Sequence, residues 1–74
     1  MENATQTPEP YDQLAPYQRV QFHRRLAQQL YHETANGNWS EFDKSSFRNI
    51  ANLNERRANA LISSAGGELD YLNR

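Results

Sequence analysis

The side chains able to do acid–base or metal chemistry are few in this sequence, and their spacing does not suit it. His23 and His32 are nine residues apart, which places them on opposite sides of a helix at about 100° per residue. Two histidines placed in that way cannot bind one metal ion together. The chain also lacks cysteine, so a thiolate metal site is excluded. The sequence therefore predicts no metal and no cofactor.

The carboxylates come as two close pairs, Glu41 with Asp43 and Glu68 with Asp70. Both pairs stand near predicted helix starts, where the helix dipole favours negative charge. Gly66-Gly67 has neither the preceding strand nor the following lysine of a phosphate-binding loop. With no reactive constellation in 74 residues, we expect a protein that is not an enzyme and has no catalytic residue.

Length and composition predict one small polar domain. The net charge is −1, the mean hydropathy is −1.03, and no apolar run exceeds three residues. These values exclude a membrane-spanning helix and a signal-peptide apolar region, so we expect a cytoplasmic protein with no membrane partner. Residues 1–10 contain two prolines and two acids and predict a flexible acidic arm, followed by a single domain over 11–74.

The elements needed to position the side chains are all predicted to be helical. Pro16 suits the first turn of a helix, and Asn36-Gly37 is a helix-ending pair. Ser40 is a good N-cap, and Gly66-Gly67 is a second stop signal. The predicted architecture is a small all-α bundle of three to four helices: about 16–35, a turn at 40–44, a long helix 45–65 and a short turn 68–72.

An apolar stripe is the strongest periodic feature of the chain, and it predicts the buried face of the helix over 45–65. Its members lie within an arc of about 120°. They are Phe47, Ile50, Ala51, Asn54, Ala58, Leu61, Ile62 and Ala65. Asn54 inside the stripe needs a hydrogen-bond partner. Leu53 falls outside the stripe and is available to a second surface.

A helix-turn-helix is the alternative to one long helix here. A break at Asn52–Asn54 would start a second helix at 54–64, since asparagine is a favoured N-cap. The glycine expected in such a turn is missing, because Glu55 stands there. The stripe also keeps its phase through the segment, so we favour one continuous helix.

Polar helix faces and one tryptophan are the candidate partner-binding surfaces. Arginine and asparagine contact phosphates and base edges, whereas arginine and aromatic residues also anchor protein interfaces. A solvated helix face is polar in any case, and a tryptophan can instead close a small core. The candidates are Arg24, Arg25, Gln28, Tyr31, His32, Trp39, Arg48, Asn52, Arg56 and Asn59.

Three functions are compatible with these features. The first is a small helical interaction protein (an adaptor, inhibitor or regulator) that binds a larger macromolecule, most simply a protein. The alternative is a dimeric helix-turn-helix-like DNA-binding regulator using the 54–64 helix. The third is a self-associating assembly subunit that forms a homodimer through the Phe47–Ala65 stripe. The net charge of −1 is unlike that of a typical nucleic-acid binder, so we expect the first.

Overall fold

Two long helices packed side by side make up most of the molecule. The computed structural model describes residues 10–73, and the arm predicted over 1–10 falls outside them apart from Pro10. Helix α1 is Pro16–Asn36 and helix α2 is Glu41–Ser64, joined by a short turn. A 3₁₀ turn, Tyr11–Gln13, precedes α1 and another, Asp70–Asn73, follows α2. The described part of the chain is therefore an antiparallel helical hairpin with two short flanking turns.

Local signals fix the start of each long helix. Pro16 occupies the first turn of α1, and the Gln18 side chain accepts a hydrogen bond from the Ala15 N–H at 2.8 Å. At the start of α2 the Ser40 hydroxyl accepts from the Asp43 N–H at 3.1 Å, as expected of an N-cap. Each contact satisfies a backbone donor that the helix itself cannot pair.

The helix ends follow two different mechanisms. Gly66 and Gly67 have φ angles of +63° and +98°, which side chains other than glycine rarely tolerate, and they end α2 as predicted. Gly37 follows α1 with φ of −86°, so it is not a left-handed cap. A Cβ atom at Gly37 would lie 2.1 Å from Trp39 Nε1. Glycine is required there by the close approach of the tryptophan ring.

Small residues bring the two helices close together. Val20, Ala27, Ala51 and Ala58 are completely buried, and the three alanines allow a short distance between the helix axes. Ile62 and Leu69 extend this contact to the C-terminal turn. The core is therefore thin, because few of its members are large.

The prediction of an all-helical fold is confirmed for the described residues, whereas the predicted bundle is not. Two long helices are present, and the separate turn predicted at 40–44 is the first turn of α2. The predicted short turn at 68–72 appears as the 3₁₀ turn Asp70–Asn73. With two long helices instead of three to four, much apolar surface has no neighbouring helix to cover it. Helix α2 passes through 52–54 without interruption, so the turn that the DNA-binding alternative requires is missing.

Candidate binding surfaces

A chain of hydrogen bonds crosses the interface between the helices. The Tyr11 hydroxyl lies 2.7 Å from His23 Nε2, and His23 Nδ1 lies 2.7 Å from Asn54 Oδ1. An amide oxygen can only accept, so Nδ1 carries a proton, and in the neutral imidazole Nε2 then accepts from the Tyr11 hydroxyl. Asn54 also donates to the Ile50 carbonyl at 2.8 Å. We call Tyr11, His23 and Asn54 the polar clasp.

The polar clasp has a structural role. His23 and Asn54 are 4% and 5% exposed, and no buried side-chain nitrogen or oxygen in residues 10–73 lacks a partner. Because an unpaired buried polar group costs about 1–3 kcal/mol, the pair favours one register of α1 against α2. Asn54 thus has the partner that the stripe required, and His23 is a hydrogen-bonded core residue.

The remaining chemically capable side chains lie apart from one another. Among residues 10–73, no group of three His, Cys, Asp or Glu side chains is placed to hold a metal ion. His32 has the Asn36 amide 3.2 Å from its Nδ1. Glu41 pairs with Lys44 at 3.7 Å. The absence of enzymatic activity stays a prediction, since nothing in the structure tests it directly.

Six of the ten predicted partner-binding residues lie along one side of the hairpin, which we call the polar flank. They are separated by three, four or seven residues on α1 and by four, seven or eleven on α2, and the Tyr31 hydroxyl donates across to Asn52 Oδ1. The polar flank consists of Arg24, Gln28, Tyr31, Arg48, Asn52 and Asn59.

The other four predicted residues lie elsewhere. Arg25 and His32 line a shallow hollow on the outer side of α1, together with Gln28 of the polar flank. Arg56 is exposed on α2, and Trp39 lies in the turn between the helices. The ten residues therefore do not form one site.

Three side chains of the polar flank, Arg24, Tyr31 and Asn52, are already engaged within the chain. Arg24 donates to the Leu72 carbonyl and to Asn73 Oδ1, both at 2.7 Å, and so ties the C-terminal turn to α1. Tyr31 is engaged by Asn52. These contacts reduce what the flank can offer to a partner without rearrangement.

The opposite side of the hairpin is apolar, and we call it the apolar flank. It borders an open groove of about 670 Å³, whose walls also include Tyr11 and Arg57 and whose floor reaches His23 and Asn54. Exposed large side chains on this flank include Phe22, Ile50 and Leu53, at 46%, 45% and 41%. The apolar flank consists of Phe22, Leu26, Ile50, Leu53, Ala60 and Leu61.

The end of the hairpin where the two helices are joined carries a second exposed apolar feature, the aromatic tip, formed by Trp39 in the connecting turn and Phe42 in the first turn of α2. Phe42 is 79% exposed, the most exposed of the large apolar side chains in residues 10–73. Trp39 packs edge-on against Phe47 with ring centroids 5.0 Å apart, and its indole N–H points to Glu33 Oε1 at 3.4 Å. The indole is thus held in place while about two-fifths of its surface stays open to solvent.

Sequence reasoning missed the apolar flank. It assigned Ile50 and Leu61 to the buried stripe, although Ile50 is half-exposed. Phe22 and Leu26 of α1 are also absent from the predicted binding residues. The signal was Leu53, which falls outside the stripe and lies on this flank.

Comparisons with known proteins add no relative. No protein-family model matches the chain, and no curated protein or solved structure matches it significantly. Within residues 10–73, neither long helix is apolar enough over a sufficient length to cross a membrane.

Proposed function

We propose that this chain is a non-enzymatic interaction protein that binds a larger protein and uses the aromatic tip as its anchor. The observation that carries the proposal is Phe42, which is 79% exposed and follows Trp39, itself 41% exposed, by three residues. Large aromatic groups at such exposure are costly in water, and they are the side chains that most often dominate binding energy at interfaces.

The tip is also arranged to bind with little loss of freedom. Trp39 is held by Phe47 on one side, by Glu33 at its N–H and by the backbone at Gly37. A side chain that is already fixed loses less conformational entropy on binding than a mobile one. The entropy loss therefore offsets less of the interaction free energy of the indole, and more of it contributes to binding affinity.

The charges near the tip indicate the chemistry of the partner. Glu33 lies at the indole N–H of Trp39. Glu41 and Asp43 are the sequence neighbours of Phe42, and the nearest base in sequence, Lys44, is already paired with Glu41. A complementary partner has an apolar pocket for the aromatic rings and a basic rim around that pocket. We further propose an adaptor, inhibitor or regulator that works in the cytoplasm, which suits a chain without cysteine.

The test is capture of a partner by the tagged full-length chain from host extract, with Phe42→Ser as the tip variant. Ser63→Ala is the matched control, because Ser63 is exposed on α2 but far from the tip. We expect the native chain and the control to retain one stoichiometric protein, and Phe42→Ser to lose it. Equal capture by all three baits, or by none, would refute the proposal.

A fluorescence titration with the purified partner then locates the contact. Trp39 is the only tryptophan in the chain. When the partner contains no tryptophan, the tryptophan emission of the complex therefore reports on the tip alone. Burial of the indole shifts its emission to shorter wavelength. An unchanged spectrum at saturation would place the contact elsewhere.

A further inference from the structure

The apolar flank leaves apolar surface of the hairpin uncovered, and a second hairpin can cover it. The fully buried large side chain of the core is Val20, and Ala27, Ala51 and Ala58 fill much of the rest. A core this small rarely stabilises a chain of such length alone. We infer that a second copy of this chain packs on the apolar flank to form an antiparallel four-helix bundle.

The size of the flank is that of a weak, concentration-dependent dimer. On α2 the flank runs from Ile50 to Leu61, about 17 Å of helix at 1.5 Å per residue, and it lies beside Phe22 and Leu26 of α1. At the width of two helices, about 20 Å, this apolar surface is about 340 Å². It is smaller than the roughly 800 Å² per partner of a standard protein interface, as is typical of weak association.

The flank also has the self-complementary shape that two-fold symmetry requires. Ile50 and Leu53 form an exposed ridge, and Ala60, with its short side chain, lies on the wall of the groove. Leu53 and Ala60 are seven residues apart on α2, about 10.5 Å along the axis. A two-fold axis that crosses α2 midway between them places Leu53 of each copy against Ala60 of the other.

Arg57 lies between these two positions, on the edge of the groove. Its side chain is exposed there. The symmetry brings the two copies of Arg57 near each other, so their repulsion weakens the dimer at low salt, and added salt tightens the dimer by screening that repulsion. An acidic partner on the same groove would be weakened by salt.

The dimer is independent of the aromatic tip. In an antiparallel bundle the two tips lie at opposite ends and remain exposed, which gives a particle with two anchors. Phe42→Ser is therefore expected to lose the partner and remain dimeric. Leu53→Glu is expected to become monomeric and still show the Trp39 response to the partner.

Sedimentation velocity of the full-length chain tests the proposal, from about 1 µM to about 500 µM, a range that brackets ordinary dimer affinities. We expect a species with twice the 8.6 kDa mass of one chain. Leu53→Glu should raise the dissociation constant at least about 100-fold, because it buries an unpaired charge. Asn59→Glu adds the same charge to the exposed polar flank and should leave the dimer intact. A monomer throughout, or equal effects of the two variants, would overturn the inference.

Single-cysteine variants keep the test decisive should Leu53→Glu fail to fold. The chain has no native cysteine, so introduced thiols report only on their own position. A mixture of Leu53→Cys and Ala60→Cys should oxidise to a mixed disulfide dimer in preference to either variant alone. Asn59→Cys, on the polar flank, should stay unlinked. Preferential linkage of Asn59→Cys would contradict the proposed face.

Discussion

The two flanks of the hairpin are built by the same two helices, yet they relate to solvent in opposite ways. On the polar flank, Arg24 and Tyr31 find partners within the chain. On the apolar flank, Phe22, Ile50 and Leu53 remain substantially exposed. Arginine and tyrosine, which are typical of recognition surfaces, thus already have hydrogen-bond partners within the chain on the polar flank. A partner that buried the exposed apolar side chains would remove them from water, so the apolar flank is the surface where binding is favoured.

The polar clasp between the flanks gives the largest expected effect. Asn54→Ala leaves the buried His23 Nδ1–H without its acceptor and opens a small cavity, so we expect a loss of about 2–4 kcal/mol in the free energy of unfolding. Urea denaturation followed by circular dichroism measures it. Asn59→Ala, on the polar flank of the same helix, should change stability by less than about 0.5 kcal/mol. Equal losses of stability in Asn54→Ala and Asn59→Ala would show that the polar clasp stabilises the fold no more than an exposed asparagine does.

The aromatic tip gives the next effect, through Gly37. A Cβ atom there would meet Trp39 Nε1 at 2.1 Å and the Glu33 carbonyl at 2.8 Å, so Gly37→Ala must displace the indole from Phe47. We expect a shift of tryptophan emission to longer wavelength and a loss of about 1–2 kcal/mol. Gly66→Ala is the control.

That control separates close approach from backbone strain. Gly66 has φ of +63° with no atom within 4 Å of an added Cβ, so Gly66→Ala should cost about 1–2 kcal/mol. It should leave the emission of Trp39 unchanged. A spectral shift in Gly66→Ala, or none in Gly37→Ala, would contradict the description of the tip.

The tether on the polar flank has a smaller effect. Arg24→Ala removes the contacts to Leu72 and Asn73, and a loss of about 1 kcal/mol is expected for partly exposed hydrogen bonds. Amide exchange of Leu72, whose N–H bonds the Leu69 carbonyl, should accelerate. Arg25→Ala, on the outer side of α1, should leave both quantities unchanged. Unchanged exchange in Arg24→Ala would mean that the tether does not order the turn.

The smallest effect is expected at Tyr31. Its hydroxyl contact with Asn52 is exposed, so water can replace either partner. Tyr31→Phe should change the free energy of unfolding by less than about 0.5 kcal/mol and leave the dimer dissociation constant unaffected. A weaker dimer in this variant would place the polar flank in the interface and reverse the comparison.

Local and periodic features of the fold could be predicted from the sequence. Ser40 starts α2, Gly66-Gly67 ends it, and Ala51, Asn54, Ala58 and Ile62 form its buried face, because caps and periodicity act over a few residues. The number of helices could not be predicted, since it depends on whether apolar arcs find partners within one chain. The apolar flank was missed for the same reason, whereas Trp39 of the aromatic tip was among the predicted residues. Periodicity identifies an apolar face but does not say what covers it.

The periodicity of the apolar residues decided between one long helix and a helix-turn-helix. The stripe stays in register through Asn52–Asn54, and α2 is continuous there. Its inward face is buried against α1 within one chain. Self-association is therefore proposed through the adjoining apolar flank and not through the Phe47–Ala65 stripe as a whole.

Isotope-filtered NMR on a mixture of labelled and unlabelled chains tests the central claim most directly. The account predicts intermolecular nuclear Overhauser effects from the methyl groups of Ile50 and Leu53 to the side chain of Ala60 in the other copy. It predicts none involving Tyr31, Asn52 or Asn59. A spectrum without intermolecular signals at high concentration, or with signals confined to the polar flank, would contradict it.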